Sequence, residues 1–349
     1  MKTIYKKDFL RLFDFNAKEI IYLIELASIL KKKKKKNIED KKLVNKNIAL
    51  IFEKESTRTR CSFEVAAYDQ GAFITNLNSK NSQIGYKESI KDTARVLDKI
   101  YHGIQYRGYD QSVIEELANY SNVPVWNGLT NDFHPTQLLA DLMTIKENMP
   151  SGKYFNEIII SYIGDAQNNI SNSMLEAAAI FGFDLRLISP KKYYPKKKFF
   201  NICKEISEYN GGKITITENI ELGIKNTDFI YTDVWLSMGE SEKKWCQRIL
   251  QLKKYQVNLS MLKKSFNPKI KFLHCLPSFH DRKTILGNKI INKYNLNSKG
   301  IEVTNNVFES KKSLVFQQSE NRLHTIKSLL ISTLCKNNDI LKNKNYMYN

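Results

Sequence analysis

The sequence predicts an α/β protein with two domains, each a mostly parallel sheet with helices on both faces. At 349 residues, the chain is longer than a single hydrophobic core usually extends. Short β-rich apolar runs alternate with helical segments, which is typical of βαβ units. The pattern breaks at residues 150–154 and then restarts, which divides the chain into domains 1–150 and 151–318. In such sheets ligands bind beyond the carboxyl ends of strands, so we expect the active site in a cleft between the domains.

The first domain begins with a well-signalled helix. Asn16 suits an N-cap, Glu19 can complete a capping box, and Ile20 begins an apolar face at helical spacing. The remaining elements predicted in this domain are strands 47–52, 72–77, 103–107 and 123–126 and helices 61–70, 89–99, 112–120 and 136–149.

The second domain repeats the alternation. Its predicted elements are strands 157–163, 183–188, 213–217, 228–231 and 271–273 and helix 171–181. A last long helix begins near residue 319, and we expect segment 319–340 to pack back on the first domain.

Composition narrows the class of protein. The net charge of +19 would suit a nucleic-acid binder, but lysine runs such as 31–36 are better explained as solvated faces, and no nucleic-acid-binding motif is present. The five scattered cysteines favour neither a disulfide framework nor a zinc site. No apolar run reaches the ~20 residues of a membrane span, and residues 1–10 lack a signal-peptide core, so we expect a cytoplasmic protein without membrane contact.

The most informative stretch is Ser56, Thr57, Arg58, Thr59 and Arg60, directly after a predicted buried strand and before a helix. Backbone N–H groups and the helix dipole attract anions at such a turn, and arginine forks match phosphate oxygens. An ordinary helix start could carry hydroxyls too, but the alternation of hydroxyl and guanidinium groups favours a phosphate site.

Other polar stretches also follow predicted strands, and each has an ordinary structural interpretation. Arg107 could be a surface arginine or could polarise a carbonyl group. His134, before a proline and three residues from Gln137, could be structural or could bind a carbamoyl-like group. Asp233 could lie in a packed loop or bind an ammonium group. Cys275 is predicted to contact the substrate or Asp233 rather than to attack covalently, because adjacent strand residues face opposite ways.

Together these stretches resemble the aspartate/ornithine carbamoyltransferase family, in particular its ornithine branch of bacterial type. The resemblance spans nearly the whole chain. It is carried by STRTR at 56–60, HPTQ at 134–137, DVWLSMG at 233–239 and HCLP at 274–277, with SQIGYKES at 82–89, YRG at 106–108, GDAQNN at 164–169 and ENRLHTIK at 320–327.

The resemblance implies transfer of the carbamoyl group of carbamoyl phosphate to the side-chain amine of L-ornithine, giving L-citrulline and phosphate, as in arginine biosynthesis. It implies no metal and no organic cofactor. It implies a homotrimer, or a multiple of trimers, with Gln83 reaching a neighbouring subunit's site.

The resemblance also implies roles for particular residues. It implies that carbamoyl phosphate is bound by Ser56, Thr57, Arg58, Thr59, Arg60, Gln83, Arg107, His134, Pro135, Thr136, Gln137, Cys275, Leu276 and Arg322. It implies that ornithine is bound by Asn169, Asp233, Ser237 and Met238, and that Arg107, His134, Asp233 and Cys275 act in catalysis.

Two alternatives stay open. The same chemistry could serve another amine, such as putrescine or an acylated ornithine. The chain could also be a non-catalytic basic binding protein, in which case its +19 charge would be its main feature.

Overall fold

A computed structural model describes residues 4–78, 84–235, 242–294 and 300–336. Contacts between Cα atoms divide the chain into two compact units, Met1–Met143 with Glu320–Asn349, and Thr144–Ser319. The first division falls inside a helix, seven residues before the predicted limit at residue 150, and the second falls between Ser319 and Glu320. The predicted domain limits stay a prediction.

Unit 1 is built on a four-stranded parallel sheet in the order β2-β1-β3-β4. Strands β1 and β3 are buried along almost their whole length, whereas the edge strand β2 is largely exposed. The elements in chain order are α1 Ala17–Lys35, β1 Asn47–Phe52, α2 Thr57–Asp69, β2 Phe73–Asn78, α3 Ile90–Ile100, β3 Gly103–Arg107, α4 Gln111–Tyr120, β4 Val125–Leu129 and α5 Pro135–Asn148.

Unit 2 is built on a five-stranded parallel sheet in the order β7-β6-β5-β8-β9. Its elements are β5 Ile159–Ile163, α6 Asn169–Phe181, β6 Asp184–Ile188, α7 Lys197–Tyr209, β7 Lys213–Thr217, α8 Ile220–Ile224, β8 Phe229–Thr232, α9 Glu242–Leu252, α10 Leu259–Lys264, β9 Lys271–His274, α11 Ile285–Lys293 and α12 Asn305–Phe308, and the chain returns to unit 1 along α13, Val315–Leu334.

The predicted fold class is confirmed for each unit, since both are parallel sheets flanked by helices. The placement of the active site between them stays a prediction. The capping box at the start of α1 is also present: Asn16 accepts from the Glu19 N–H at 3.0 Å, and Glu19 accepts from the Asn16 N–H at 2.9 Å.

Two helices begin earlier than predicted because a polar cap lies outside the apolar pattern. Helix α2 begins at Thr57 rather than at Cys61, and α6 begins at Asn169 rather than at Ser171. In both cases the N-cap side chain, Ser56 or Asn168, accepts a backbone hydrogen bond that starts the helix earlier.

Within the described part of the chain, no helix combines the length and apolar character that a bilayer crossing requires.

Candidate active site

The polar stretch after β1 forms the first turn of α2. The Ser56 hydroxyl caps the helix by accepting from the Thr59 N–H at 3.2 Å. Residues Thr57 to Arg60 therefore sit where a helix presents unpaired N–H groups and the positive end of its dipole. Thr57 is exposed and Arg58 is partly buried, so this end of the helix is accessible to a small anion.

The Thr59 hydroxyl joins two arginines from distant parts of the chain. Its oxygen accepts from Arg107 at the end of β3 at 3.2 Å and from Arg322 on α13 at 2.7 Å. Thr59 is fully buried, and the two arginines are 7% and 3% exposed. A hydroxyl has two lone pairs and one proton, so these contacts leave the hydroxyl proton to donate elsewhere.

His134 lies beside the same guanidinium group, just before α5 begins at Pro135. Its Nε2 is 3.3 Å from Arg322 Nη2. Burial, and then the positive charges of Arg322, Arg107 and Arg58, hold the pKa of His134 well below its usual range. The imidazole is therefore neutral near pH 7. Because a guanidinium can only donate, Nε2 accepts here and the proton lies on Nδ1, which is 3.5 Å from Thr136 Oγ1.

Gln137, in the first turn of α5, is oriented from both ends. Its Oε1 accepts from Arg322 Nη1 at 3.1 Å, and its Nε2 donates to Asp141 Oδ1 at 2.7 Å. Asp141 is fully buried, so the amide is held with its oxygen toward the arginine. Sequence reasoning missed Asp141, although its position four residues after Gln137 on a helix was a usable signal. We call Thr59, Arg107, His134, Gln137 and Arg322 the Thr59 cluster.

Two other predicted phosphate-side residues, Arg60 and Thr136, are neighbours of the cluster in the sequence but contact residues outside it. Arg60 turns away: its guanidinium donates to Asn78 at 3.1 Å and lies over the Phe52 ring. Thr136 donates to the Asn127 carbonyl at 3.1 Å, which ties the start of α5 to β4. Gln83 falls outside the described residues.

In unit 2 two of the predicted residues, Asp233 and Cys275, meet at the ends of β8 and β9. Asp233 Oδ1 accepts from the Cys275 thiol at 3.0 Å and from the Val234 N–H at 2.7 Å. Its Oδ2 accepts from Asn168 Nδ2 at 3.3 Å. The predicted contact between Cys275 and Asp233 is therefore present. We call Asn168, Asp233 and Cys275 the Asp233 cluster.

Burial raises the pKa of Asp233, although His274 and the Cys275 hydrogen bond act in the opposite direction. Tyr162, which sequence reasoning missed, is fully buried beneath the cluster and accepts from Asn168 Nδ2 at 2.6 Å. A nearby positive charge stabilises the ionised form of a buried carboxyl group, so this cluster suits an ammonium or amine group.

The turn after β9 has an unusual backbone. Leu276 has φ of +57°, a region that non-glycine residues rarely occupy, and such strain occurs often at functional sites. Its N–H donates to His274 Nδ1 at 2.9 Å, and His274 Nε2 faces Glu302 at 3.4 Å. The turn is therefore supported by two fully buried side chains that sequence reasoning missed.

Two predicted ornithine-side residues, Ser237 and Met238, fall outside the described residues. Asn169 is the first residue of α6, and its carbonyl accepts from the Ser173 hydroxyl at 2.9 Å. Its neighbour Asn168, the N-cap, is the residue that contacts Asp233.

One group of side chains has the composition of a metal site. Asp233, His274 and Cys275 each offer a ligand atom within 4.8 Å of the others. Both ring nitrogens of His274 already face Leu276 and Glu302, so metal binding would have to break the support of the turn.

Known proteins resemble this chain over nearly its whole length. Residues 7–147 match the carbamoyl-P binding domain of the aspartate/ornithine carbamoyltransferases, and residues 156–333 match their Asp/Orn binding domain. The ornithine carbamoyltransferase from Pyrococcus furiosus is 35% identical with a TM-score of 0.85, covering 96% of this chain and 99% of that one. The anabolic enzyme from Campylobacter jejuni is 34% identical with a TM-score of 0.80, covering 93% and 97%. The enzyme from Thermus thermophilus is 32% identical with a TM-score of 0.76, covering 95% and 99%. The chain therefore belongs to the aspartate/ornithine carbamoyltransferase family and is a carbamoyltransferase.

Proposed function

We propose that this carbamoyltransferase, of bacterial type, acts on L-ornithine and forms L-citrulline and phosphate from carbamoyl phosphate. The observation that carries the proposal is the presence of two sites of opposite character in one chain. The Thr59 cluster gathers arginines at a helix N-terminus, which suits a phosphorylated substrate. The Asp233 cluster offers a buried carboxylate and a thiol, which suits an amine.

The phosphate of carbamoyl phosphate binds the first turn of α2, through Ser56, Thr57, Arg58 and Thr59, while Arg60 supports the turn through its contact with Asn78. Gln83 adds a contact from a neighbouring subunit.

The carbamoyl carbonyl oxygen faces Thr59, Arg107 and His134, and Arg322 lies beside it. To donate to this oxygen, His134 must carry its proton on Nε2. The substrate oxygen therefore replaces His134 Nε2 as the acceptor for Arg322, and the imidazole proton moves from Nδ1 to Nε2. Gln137 and the main chain of Cys275 and Leu276 hold the carbamoyl NH2. The side chains of Pro135 and Thr136 fix the entry of α5 that carries Gln137.

Ornithine binds through Asn169, Asp233, Ser237 and Met238, with its side-chain amine near Asp233 and Cys275. The neutral amine attacks the carbamoyl carbon, and negative charge grows on the carbonyl oxygen, where the cationic and hydroxyl donors stabilise it. The carbon–oxygen bond to phosphate then breaks, and the leaving phosphate takes the amine proton. Holding the two substrates in line supplies much of the acceleration, and no covalent enzyme intermediate forms.

The assembly we propose is a homotrimer, or a multiple of trimers, in the cytoplasm, serving arginine biosynthesis. Exposed apolar side chains around the edge strand β2 support association through unit 1: Phe73 is 66% exposed and the nearby Tyr68 on α2 is 80% exposed. Isolated exposed aromatics are ordinary, but two together beside an open sheet edge favour a partner surface.

The proposal is tested by measuring product formation with ornithine, putrescine and aspartate in parallel, using wild type and Asp233→Asn. We expect ornithine to be the preferred amine by at least about 10²-fold, because a site built for a free α-amino acid leaves buried polar groups unpaired with putrescine. The substitution should raise KM for ornithine more than KM for carbamoyl phosphate. Preference for putrescine or aspartate would refute the choice of substrate. If no amine reacted, the basic-binder alternative would regain support.

A further inference from the structure

The run of six lysines that ends α1, residues 31–36, is mostly paired with acidic groups. Lys33 contacts Asp40 at 2.9 Å and Lys34 contacts Asp69 at 2.5 Å. Lys31 and Lys35 both contact Glu320 on α13, at 3.3 and 3.2 Å. The run is therefore an intramolecular contact surface and not simply a solvated face.

Two further contacts put α1 and α13 in one antiparallel register. Lys31 Nζ donates to Asn321 Oδ1 at 2.7 Å, and the Ser328 hydroxyl donates to the Leu23 carbonyl at 2.7 Å. Lys31 and Leu23 lie eight residues apart on α1, and their partners Asn321 and Ser328 lie seven apart on α13. Similar spacing in opposite directions means that the two helices are joined along about two turns.

The contact between Lys31 and Asn321 is partly buried. The Lys31 side chain is 11% exposed, and Asn321 is fully buried. Breaking a hydrogen bond from a charged donor to a fully buried acceptor is costly, because the acceptor is left without compensation from water. The next residue along α13 is Arg322, which contacts Thr59, His134 and Gln137.

We propose that Lys31 is a positioning residue that fixes α13 through Asn321 and so sets the guanidinium of Arg322 on the Thr59 cluster. This inference rests on the proposed function only for its kinetic readout. It gives the lysine run a role inside the subunit rather than in nucleic-acid binding.

The run supplies its own matched control. Lys32 is adjacent, exposed and of the same residue type, so Lys32→Met changes composition and net charge as much as Lys31→Met does. Methionine preserves most of the apolar stem of lysine and removes only the charged donor. Lys31→Arg, which restores a cationic donor, should recover most of the activity.

The first experiment measures kcat/KM for carbamoyl phosphate, KM for ornithine and thermal midpoint for all three variants. We expect Lys31→Met to lower kcat/KM for carbamoyl phosphate about 10-fold, with KM for ornithine changed less than about twofold. Lys32→Met should match wild type in kcat/KM for carbamoyl phosphate, in KM for ornithine and in thermal midpoint. Equal values for Lys31→Met and Lys32→Met would overturn the inference. If Lys31→Met does not fold, the same comparison applies to Lys31→Gln, which keeps a short uncharged donor.

A second experiment separates positioning from general stability. In an Arg322→Lys background, the added Lys31→Met change should cost less than about twofold, because its effect passes through Arg322. An undiminished 10-fold effect in that background would mean that Lys31 acts by another route.

A third experiment tests the positioning role of Lys31 without relying on turnover: calorimetry measures the affinity of each variant for carbamoyl phosphate alone. Weaker binding by Lys31→Met than by Lys32→Met would support the positioning role even if no citrulline formed, in which case only the proposed function would fail. Equal binding would count against the positioning role whatever the turnover.

Discussion

Replacing Thr59 with valine is the most informative single change in the phosphate-side cluster. Valine has nearly the same shape, and Thr59 is fully buried, so the substitution removes a hydroxyl without opening a cavity. The hydroxyl has two functions that can be measured separately. It accepts from Arg107 and Arg322, and its proton is left for the carbamoyl oxygen.

The expected loss of activity follows from the second function. Removing one donor to a developing oxyanion costs about 10²–10³ in kcat, or about 3–4 kcal/mol. We therefore expect Thr59→Val to lower kcat/KM for carbamoyl phosphate by about 10²-fold or more, with KM for ornithine little changed.

The expected loss of stability follows from the first function. Each of two buried guanidinium groups loses an acceptor, at about 1–3 kcal/mol each. Saturating carbamoyl phosphate should restore part of this loss, because its oxygens supply new acceptors and ligand binding stabilises the folded state.

The assay is initial-rate citrulline formation with carbamoyl phosphate varied at saturating ornithine, beside thermal unfolding with and without carbamoyl phosphate. Thr59→Ser is the matched control, since it keeps the hydroxyl and removes only a methyl group, and it should stay within about 10-fold of wild type. The reasoning is refuted if Thr59→Val is within threefold of wild type, or if serine is as damaging as valine.

Three further predictions concern other parts of the chain. Cys275→Ser, which keeps a donor for the carboxylate it contacts, should retain kcat within about 10-fold of wild type, whereas a loss of 10⁴ would indicate a covalent nucleophile. Burial raises the pKa of Asp8 from 3.8 to about 6, so its contribution to stability is present below about pH 4 and is lost as pH rises through about 6. Asp8→Asn, which keeps the acceptor for a backbone N–H, should therefore raise the free energy of unfolding by about 1–3 kcal/mol at pH 8 and hardly at pH 4; equal gains at both pH values would contradict this explanation. A Cβ on Gly108 would lie 2.0 Å from the hydroxyl oxygen of buried Tyr106, so Gly108→Ala should displace the end of β3 and with it Arg107. We expect kcat/KM for carbamoyl phosphate to fall; a wild-type value would mean that Gly108 is not needed to place Arg107.

Much of the fold was predictable because its signals are local. The capping box of Asn16 and Glu19 lies within four residues, and the strand at Lys213–Thr217 was predicted with its observed bounds. Parallel pairing followed from the alternation of strands and helices. The start of α2 was misplaced because residues Thr57 to Arg60 carry no apolar periodicity, although the Ser56 cap was a usable signal.

The candidate site was predictable in part for a different reason. Carboxyl ends of parallel strands gather at one edge of a sheet, which is why residues after β1 and β3 could be expected to approach one another. The contact of Arg322 with Thr59 spans 263 positions, and no spacing rule predicts it; only the family resemblance pointed to this arginine. The link between Lys31 and Asn321, across 290 positions, had no signal in the sequence beyond the charge of the run.

The orientation of individual groups was the least predictable. The tautomer of His134 depends on the neighbouring guanidinium, and the direction of the Gln137 amide depends on Asp141. Both follow from contacts made only in the folded chain, so residue identity alone could suggest a carbamoyl site without assigning donors and acceptors.

The most direct test of the central claim is the initial rate of citrulline formation from carbamoyl phosphate and ornithine by wild type and Arg58→Ala, with folding of both checked by circular dichroism. The account predicts robust turnover by the wild type and a loss of at least about 10²-fold in the variant, mainly in kcat/KM for carbamoyl phosphate. A folded wild type that forms no citrulline, or an Arg58→Ala variant with unchanged kinetics, would contradict the assignment of ornithine carbamoyl transfer or of the α2 N-terminus as its phosphate site.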